Sequence, residues 1–211
     1  MRGLDETTQL LAELGDRFER VAVACSFQKE AVVIAHLVSE RLPNAKFFTL
    51  DTGLFFAQTY ETWEKLEARL GITVEGRRGI SLEDQAALHG PELWKTAPDR
   101  CCDLRKVRPL REHLAAADVW IAGLRRDQSE ERADTPRLGW DAKHGLWKAA
   151  PLVDWTERDV WNHIFEHDLP YHPLHDQGYA SIGCEPCTRP GDAREGRWAG
   201  TDKIECGLHA A

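Results

Sequence analysis

No stretch of this chain is long and apolar enough to span a membrane. The opening MRGLDETTQLL also lacks the apolar core of a secretory leader, so neither feature is expected. Positive charge is scarce relative to negative: 27 Lys and Arg stand against 35 Asp and Glu, a formal net charge of −8. That excludes a general nucleic-acid or membrane-surface binder, which needs a basic face. It is compatible with a local basic pocket for a small anion. Internal repeats and low-complexity segments are absent. Glycine is missing from the turn CSFQKE, so that turn is not a phosphate-cradling loop of the Walker type.

What is present suits one domain, or one domain plus a tail: 211 residues, 42% hydrophobic and 29% charged. With no export signal the chain is expected to be cytoplasmic and its thiols reduced. Its six cysteines then read as metal or redox chemistry rather than as a disulfide framework.

Strand and helix patterns alternate. RVAVACS, KFFTL, GITVEG, DVWIAGL and GLWKAAPLV read as five short buried strands. Between them, helical spacing joins Leu10, Leu11, Leu14 and Phe18, and again Phe56, Tyr60, Trp63, Leu66 and Leu70. KEAVVIAHLVSERL reads as a helix stopped by Pro43, and residues 98–117 as another. Thr156 and Asp159 form a capping box before a helix whose buried face is expected from Val160, Trp161, Ile164 and Phe165. The expected fold is α/β, a mostly parallel five-stranded sheet with helices on both faces. Ligands of such sheets bind outside the carboxyl ends of the strands. CSFQKE, LDTG and GLRRDQSEER all fall there.

Cys101 and Cys102 are adjacent, and Cys184 and Cys187 form CEPC. Such a pair serves zinc, dithiol redox chemistry or an iron–sulfur cluster. A redox pair belongs early in a βαβ unit, whereas this one lies late, in a Gly/Pro loop. Two adjacent cysteines chelate one tetrahedral ion awkwardly. Four thiolates match the ligand count of a cubane cluster, so iron–sulfur is favoured over zinc, and both over four unliganded thiols.

The basic residues fall in three groups. In DLRKVRPLR, Arg108 and Arg111 read as a solvated face, and Arg105 and Lys106 as counter-charges to nearby thiolates. GLRRDQSEER supplies Arg125, Arg126 and Arg132, and RPGDAREGRW supplies Arg189, Arg194 and Arg197. Guanidinium forks suit phosphate or sulfate. Three groups around one sheet edge predict an oxyanion pocket. The last of the six cysteines is Cys206, in ECGLH close to the last residue. An idle exposed thiol there is a chemical liability.

Taken together, SFQKE, LDTG, CCDLRKVRPLR, GLRRDQS, PLHDQGYASIGCEPCTRP, REGRW and ECGLH resemble the iron–sulfur adenylyl-sulfate (APS) reductases of assimilatory sulfate reduction. The resemblance implies an adenine-nucleotide α-hydrolase-like fold and a [4Fe–4S] cluster on Cys101, Cys102, Cys184 and Cys187. It implies that Cys206 attacks the sulfate sulfur of APS, that AMP leaves, and that thioredoxin or a similar dithiol protein releases sulfite from the S-sulfocysteine. Lys106 is then expected between cluster and substrate. Arg194 and Arg197 flank the pocket, and His209 holds the phosphosulfate. Substrate contacts are also expected from Ser26, Leu50, Gly123 and Arg132. Residues 1–190 would form the nucleotide-binding domain and 191–211 a mobile tail. Eighteen residues separate Cys187 from Cys206 and span on the order of 60 Å when extended. The alternatives are a reductase of phosphoadenylyl sulfate (PAPS), or of both nucleotides, and a non-catalytic metal-binding redox sensor. A homo-oligomer is compatible with the chain; nucleic-acid and membrane partners are not expected.

Overall fold

Six short strands assemble into one sheet of order β3-β2-β1-β4-β6-β5. They are β1 (Val21–Ala24), β2 (Lys46–Leu50), β3 (Val74–Arg77), β4 (Val119–Ile121), β5 (Leu138–Asp141) and β6 (Leu146–Ala149). All neighbours run parallel except β5 and β6. The computed structural model describes residues 2–198, 201, 203 and 205–209.

Side chains alternate across each strand with period two. Val21, Val23, Val119 and Ile121 therefore face one core, while Ala22 and Trp120 face another. The first core is closed by α1 (Arg2–Arg17), α2 (Lys29–Arg41), α3 (Ala57–Leu70) and α8 (Glu157–Glu166). The second is closed by α7 (Arg108–Leu114), through Leu110 and Leu114. Between β3 and α7 lie α4 (Leu82–His89), α5 (Leu93–Thr96) and α6 (Pro98–Cys102). From β1 the chain winds outward to β2 and β3, then returns to place β4 on the other side. This reversal creates a crevice at the carboxyl ends of β1 and β4, where open α/β sheets bind ligands.

The sheet has one strand more than the five expected. β5 is a four-residue edge, LGWD, with Trp140 59% exposed. It lacks the apolar run that marks the buried strands. The helix expected over 98–117 is broken by a π-helical turn, Asp103–Val107. That wider turn carries Arg105 and Lys106, both buried. The Thr156 capping box is present: Thr156 N donates to Asp159 Oδ2 at 2.9 Å, and Asp159 N to Thr156 Oγ1 at 3.2 Å. Phe165 differs from expectation. It is 64% exposed, stacked on Trp161 at 5.6 Å instead of entering the core.

Candidate active site

The cysteine pairs meet. Cys101 and Cys102 come from α6, whose first turn starts at Pro98, a residue that loses nothing there because the N–H would be unpaired anyway. Cys184 and Cys187 come from a loop pinned by Glu185 N donating to Leu54 O at 2.7 Å and Trp198 N to Cys187 O at 2.9 Å. All four are free thiols and line one cavity with Thr52, Trp94, Lys106, Arg197 and Trp198.

Burial pushes the Cys101 thiol up to about 12 and the Cys187 thiol to about 11, each helped by neighbouring sulfurs. Cys184 goes the other way. Burial opposes its ionisation, but Lys106, the Thr52 hydroxyl and Arg197 outweigh that and hold it below the ordinary thiol range. Among the described residues no three His, Cys, Asp or Glu side chains converge as ligands of one ion. Four thiols around a shared cavity, one of them held below the ordinary thiol range beside two cations, suit a polynuclear centre, which would spread its metals over separate sulfurs.

A second cavity, about 230 Å³, opens at the carboxyl ends of β1, β2 and β4. It is lined by the residues that the resemblance implied for substrate and catalysis, Ser26, Leu50, Lys106, Gly123, Arg132, Arg194, Arg197, Cys206 and His209, but not by Arg126 or by Arg189, which is turned to the Glu185 and Thr188 carbonyls. Lys106 and Arg197 border both cavities. Burial works against the charge on Lys106, but the Cys184 and Cys206 sulfurs more than offset it and raise its pKa. Phe48, Leu110 and Trp120 supply an apolar wall, as a purine needs.

The glycine-free turn is made by Phe27. Its φ of 59° is left-handed, a conformation that costs a bulky residue energy. Full burial of its ring, stacked on Trp63 at 5.2 Å, offsets that cost. The next residue, Gln28, accepts from Ile182 N at 2.8 Å and ties the turn to the cysteine loop.

Not every cation is available to a ligand. Arg125 lines the pocket but is committed to Glu30 and, at 2.8 Å, to Asp127. Arg126 pairs with Asp154, and Arg108 lies on an exposed face, as expected, paired with Asp103 at 3.0 Å. Arg105 has a scaffold role: Nη1 donates to Thr52 O at 2.6 Å and Nε to Gln85 Oε1 at 2.7 Å.

Near the end of the chain Glu205, Cys206, Leu208 and His209 lie on the pocket. Lys143 Nζ donates to Gly207 O, and Gly207 turns the chain with φ 79°. Leu208 packs on the apolar cluster that holds Trp120. The His209 ring stacks on Trp120 at 5.4 Å, 16° from parallel. Burial, with Lys148 and Arg132 nearby, holds His209 well below the ordinary histidine range, so the ring is neutral. Sequence reasoning missed two participants. Trp120 looked like ordinary core, and Glu205, which pairs with Arg132 at 2.8 Å and Arg194 at 2.9 Å, was overshadowed by its neighbour Cys206.

Comparison with known proteins agrees with this geometry. Residues 20–190 match the phosphoadenosine phosphosulfate reductase domain. The chain is 49% identical over 197 residues to an adenosine 5'-phosphosulfate reductase of Salinibacter ruber, covering 90% of this chain and 78% of that one. It is 45% identical over 216 residues to the enzyme of that name from Bacillus cereus strain Q1, covering 97% and 92%. The crystal structure of phosphoadenylyl-sulfate (PAPS) reductase from Candida auris superimposes with a TM-score of 0.77 at 26% identity, over 87% of this chain and 90% of that one. By sequence and by fold, this chain belongs to the phosphoadenosine phosphosulfate reductase family.

Proposed function

We propose that this chain reduces adenosine 5'-phosphosulfate to sulfite and AMP, with electrons from a thioredoxin-like dithiol protein. The observation that carries the reading is the position of Cys206. It lines one cavity with Lys106, Arg132, Arg194 and Arg197, and the curated relatives quoted above bear the name of that activity.

The chemistry follows from charge. Sulfur(VI) ringed by anionic oxygens repels a thiolate. Cations that meet the charge gathering in the transition state remove that barrier, an oxyanion-type role. The Cys206 thiolate forms an S–S bond to the sulfate sulfur, and the bridging S–O bond breaks with its electron pair, releasing AMP. The enzyme is left as S-sulfocysteine, a covalent intermediate. A dithiol protein then attacks Cys206 Sγ and sulfite departs. Its second thiol resolves the mixed disulfide, so the dithiol is oxidised by two electrons and Cys206 is regenerated. No cysteine neighbours Cys206 along the chain, so an external thiol completes the cycle. Residues 191–211 act as a tail that closes over substrate and opens to present the adduct. A thioredoxin-like donor fits a reducing, cytoplasmic compartment.

Cys101, Cys102, Cys184 and Cys187 are proposed to hold a [4Fe–4S] cluster. When bound it would supply a concentrated charge. Lys106 and Arg197, which border both cavities, would hold substrate oxygens. Ser26, Leu50 and Gly123 form the nucleoside end of the pocket.

The test incubates purified protein with APS, thioredoxin and thioredoxin reductase and measures sulfite, with PAPS in parallel. Sulfite from wild type and none from Cys206→Ser is expected. So is a sulfo-group mass on the tail peptide when reductant is withheld. A higher kcat/KM for PAPS would reverse the substrate choice. A colourless, zinc-loaded protein that never forms the adduct would favour the sensor reading.

A further inference from the structure

Glu205 holds two arginines with one carboxylate. Oε1 accepts from Arg132 Nε at 3.1 Å and Nη2 at 2.8 Å, and Oε2 accepts from Arg194 Nη2 at 2.9 Å. The side chains of Arg132, Arg194 and Glu205 are only 11%, 18% and 19% exposed. Burial, then Arg132, pushes Arg194 down to about 10. Two guanidinium groups crowded together away from water need an anion between them. Here the chain supplies its own.

The same two arginines face the cavity that takes Lys106 and Cys206. An adenylyl sulfate carries one negative charge on its phosphate and one on its sulfate. Those oxygens bind guanidinium forks by the same charge-assisted hydrogen bonds as a carboxylate. A carboxylate and a substrate oxyanion cannot share one arginine pair, because like charges in contact repel strongly where the dielectric is low. Substrate therefore has to expel Glu205. Since Glu205 is bonded directly to Cys206, its expulsion also shifts the nucleophile.

We propose that Glu205 is an internal competitor. It caps the Arg132–Arg194 pair in the substrate-free protein, and the anionic group of the substrate displaces it. Substrate binding and repositioning of the tail thiol are then one exchange. The cap also screens the arginines from free phosphate and sulfate. This inference rests on the reductase reading above and specifies how that site is gated. It differs in sign from two plainer roles. If Glu205 were a strap for the tail, or a substrate-positioning group, neutralising it would weaken binding. A competitor predicts the opposite: a looser tail and tighter substrate.

The experiment titrates APS calorimetrically into the full-length Cys206→Ser protein, which binds without turnover, and into Cys206→Ser/Glu205→Gln. About tenfold tighter binding is expected in the double variant, the effect of releasing one charge-assisted contact of modest net worth. Without ligand, trypsin should cut after Lys203 severalfold faster in the double variant, and APS should restore protection. Glu205→Asp, which keeps the charge, should return the affinity toward that of Cys206→Ser. Equal or weaker APS affinity in the Glu205→Gln background overturns the competitor, whatever the tail does. If Cys206→Ser itself does not bind APS, the reductase reading fails and takes this one with it.

Discussion

Thr52 Oγ1 lies 3.3 Å from Cys184 Sγ, and both residues are buried. The hydroxyl accepts from Leu54 N at 3.2 Å, and its proton is a donor to the sulfur in the thiolate form. It is thus one of three groups, after Lys106 and together with Arg197, that lower the Cys184 pKa against the effect of burial.

Thr52→Val keeps the shape and removes the donor. Such a bond to a charged group contributes about 1.5–3 kcal/mol. The expected result is a protein of unchanged circular dichroism in which the absorption of the proposed cluster, once loaded, bleaches severalfold faster in air. In metal-free protein, Cys184 should also alkylate more slowly near neutral pH. Equal rates for variant and wild type would mean that the hydroxyl does not steady the sulfur.

Lys106 is the side chain on which the two cavities converge, together with Arg197. Replacing it by Met keeps the length and removes the charge. Loss of one preorganised donor at a developing oxyanion lowers kcat by about 10²–10³, so steady-state sulfite production should fall by that factor. KM should change far less if the ammonium acts mainly in the transition state. A Lys106→Met protein with wild-type kcat would remove Lys106 from the mechanism.

The parallel strands and the cysteine, arginine and lysine groups were legible in the sequence because each carries a local mark. Val21–Ala24 and Lys46–Leu50 are apolar runs next to turns, and CC and CEPC are paired spacings. Half-exposed Leu138–Asp141 carries no such mark, since its strand character comes from pairing with β6. Helix α4 has a good N-cap, Asp84 N donating to Ser81 Oγ at 2.9 Å, but no apolar stripe, with Leu88 70% exposed. Glu205 could not be read as a ligand of Arg132, because 72 residues lie between them. Phe27 replaces the glycine a sharp turn prefers only because Trp63, from another helix, stacks on its ring. What escaped the sequence was set by tertiary contact.

Gly183 makes room for the Arg197 guanidinium. A Cβ there would sit 2.3 Å from Arg197 Nη2 and 2.6 Å from its Cζ. The obstructed atoms are the far end of a flexible side chain, so Gly183→Ala should move Arg197 rather than unfold the loop. The guanidinium would lose Ser181 Oγ at 3.3 Å and Ile182 O at 3.4 Å. Expected is a severalfold rise in KM for APS with a Tm change of no more than about 2 °C, roughly what a surface-scale perturbation produces. A large fall in Tm with unchanged KM would show that the backbone yields instead.

His163 should make stability depend on pH in the mildly acidic range. It is buried between α2 and α8, with Nε2 3.0 Å from His36 Nδ1 and its ring 5.6 Å from Trp155. Burial, then the neighbouring His167 and His36, pushes it down to about 4. Above pH ~6.5 the ring is neutral in both folded and unfolded chains and contributes no slope. Below that, the unfolded chain takes up the proton first, so folding weakens by about 1.4 kcal/mol per pH unit until the folded ring titrates near pH 4. His172, also pushed down to about 4 by burial, acts in the same direction. Carboxylates held low, such as Asp51, which has Tyr60 and Arg78 against it, titrate below this window. Urea unfolding of wild type and His163→Gln at pH 7, 6 and 5 provides the check. Wild type should lose more stability than the variant as pH falls, the gap approaching one ring's share of about 2 kcal/mol by pH 5. Parallel curves for the two proteins would mean that His163 is not held neutral in the fold.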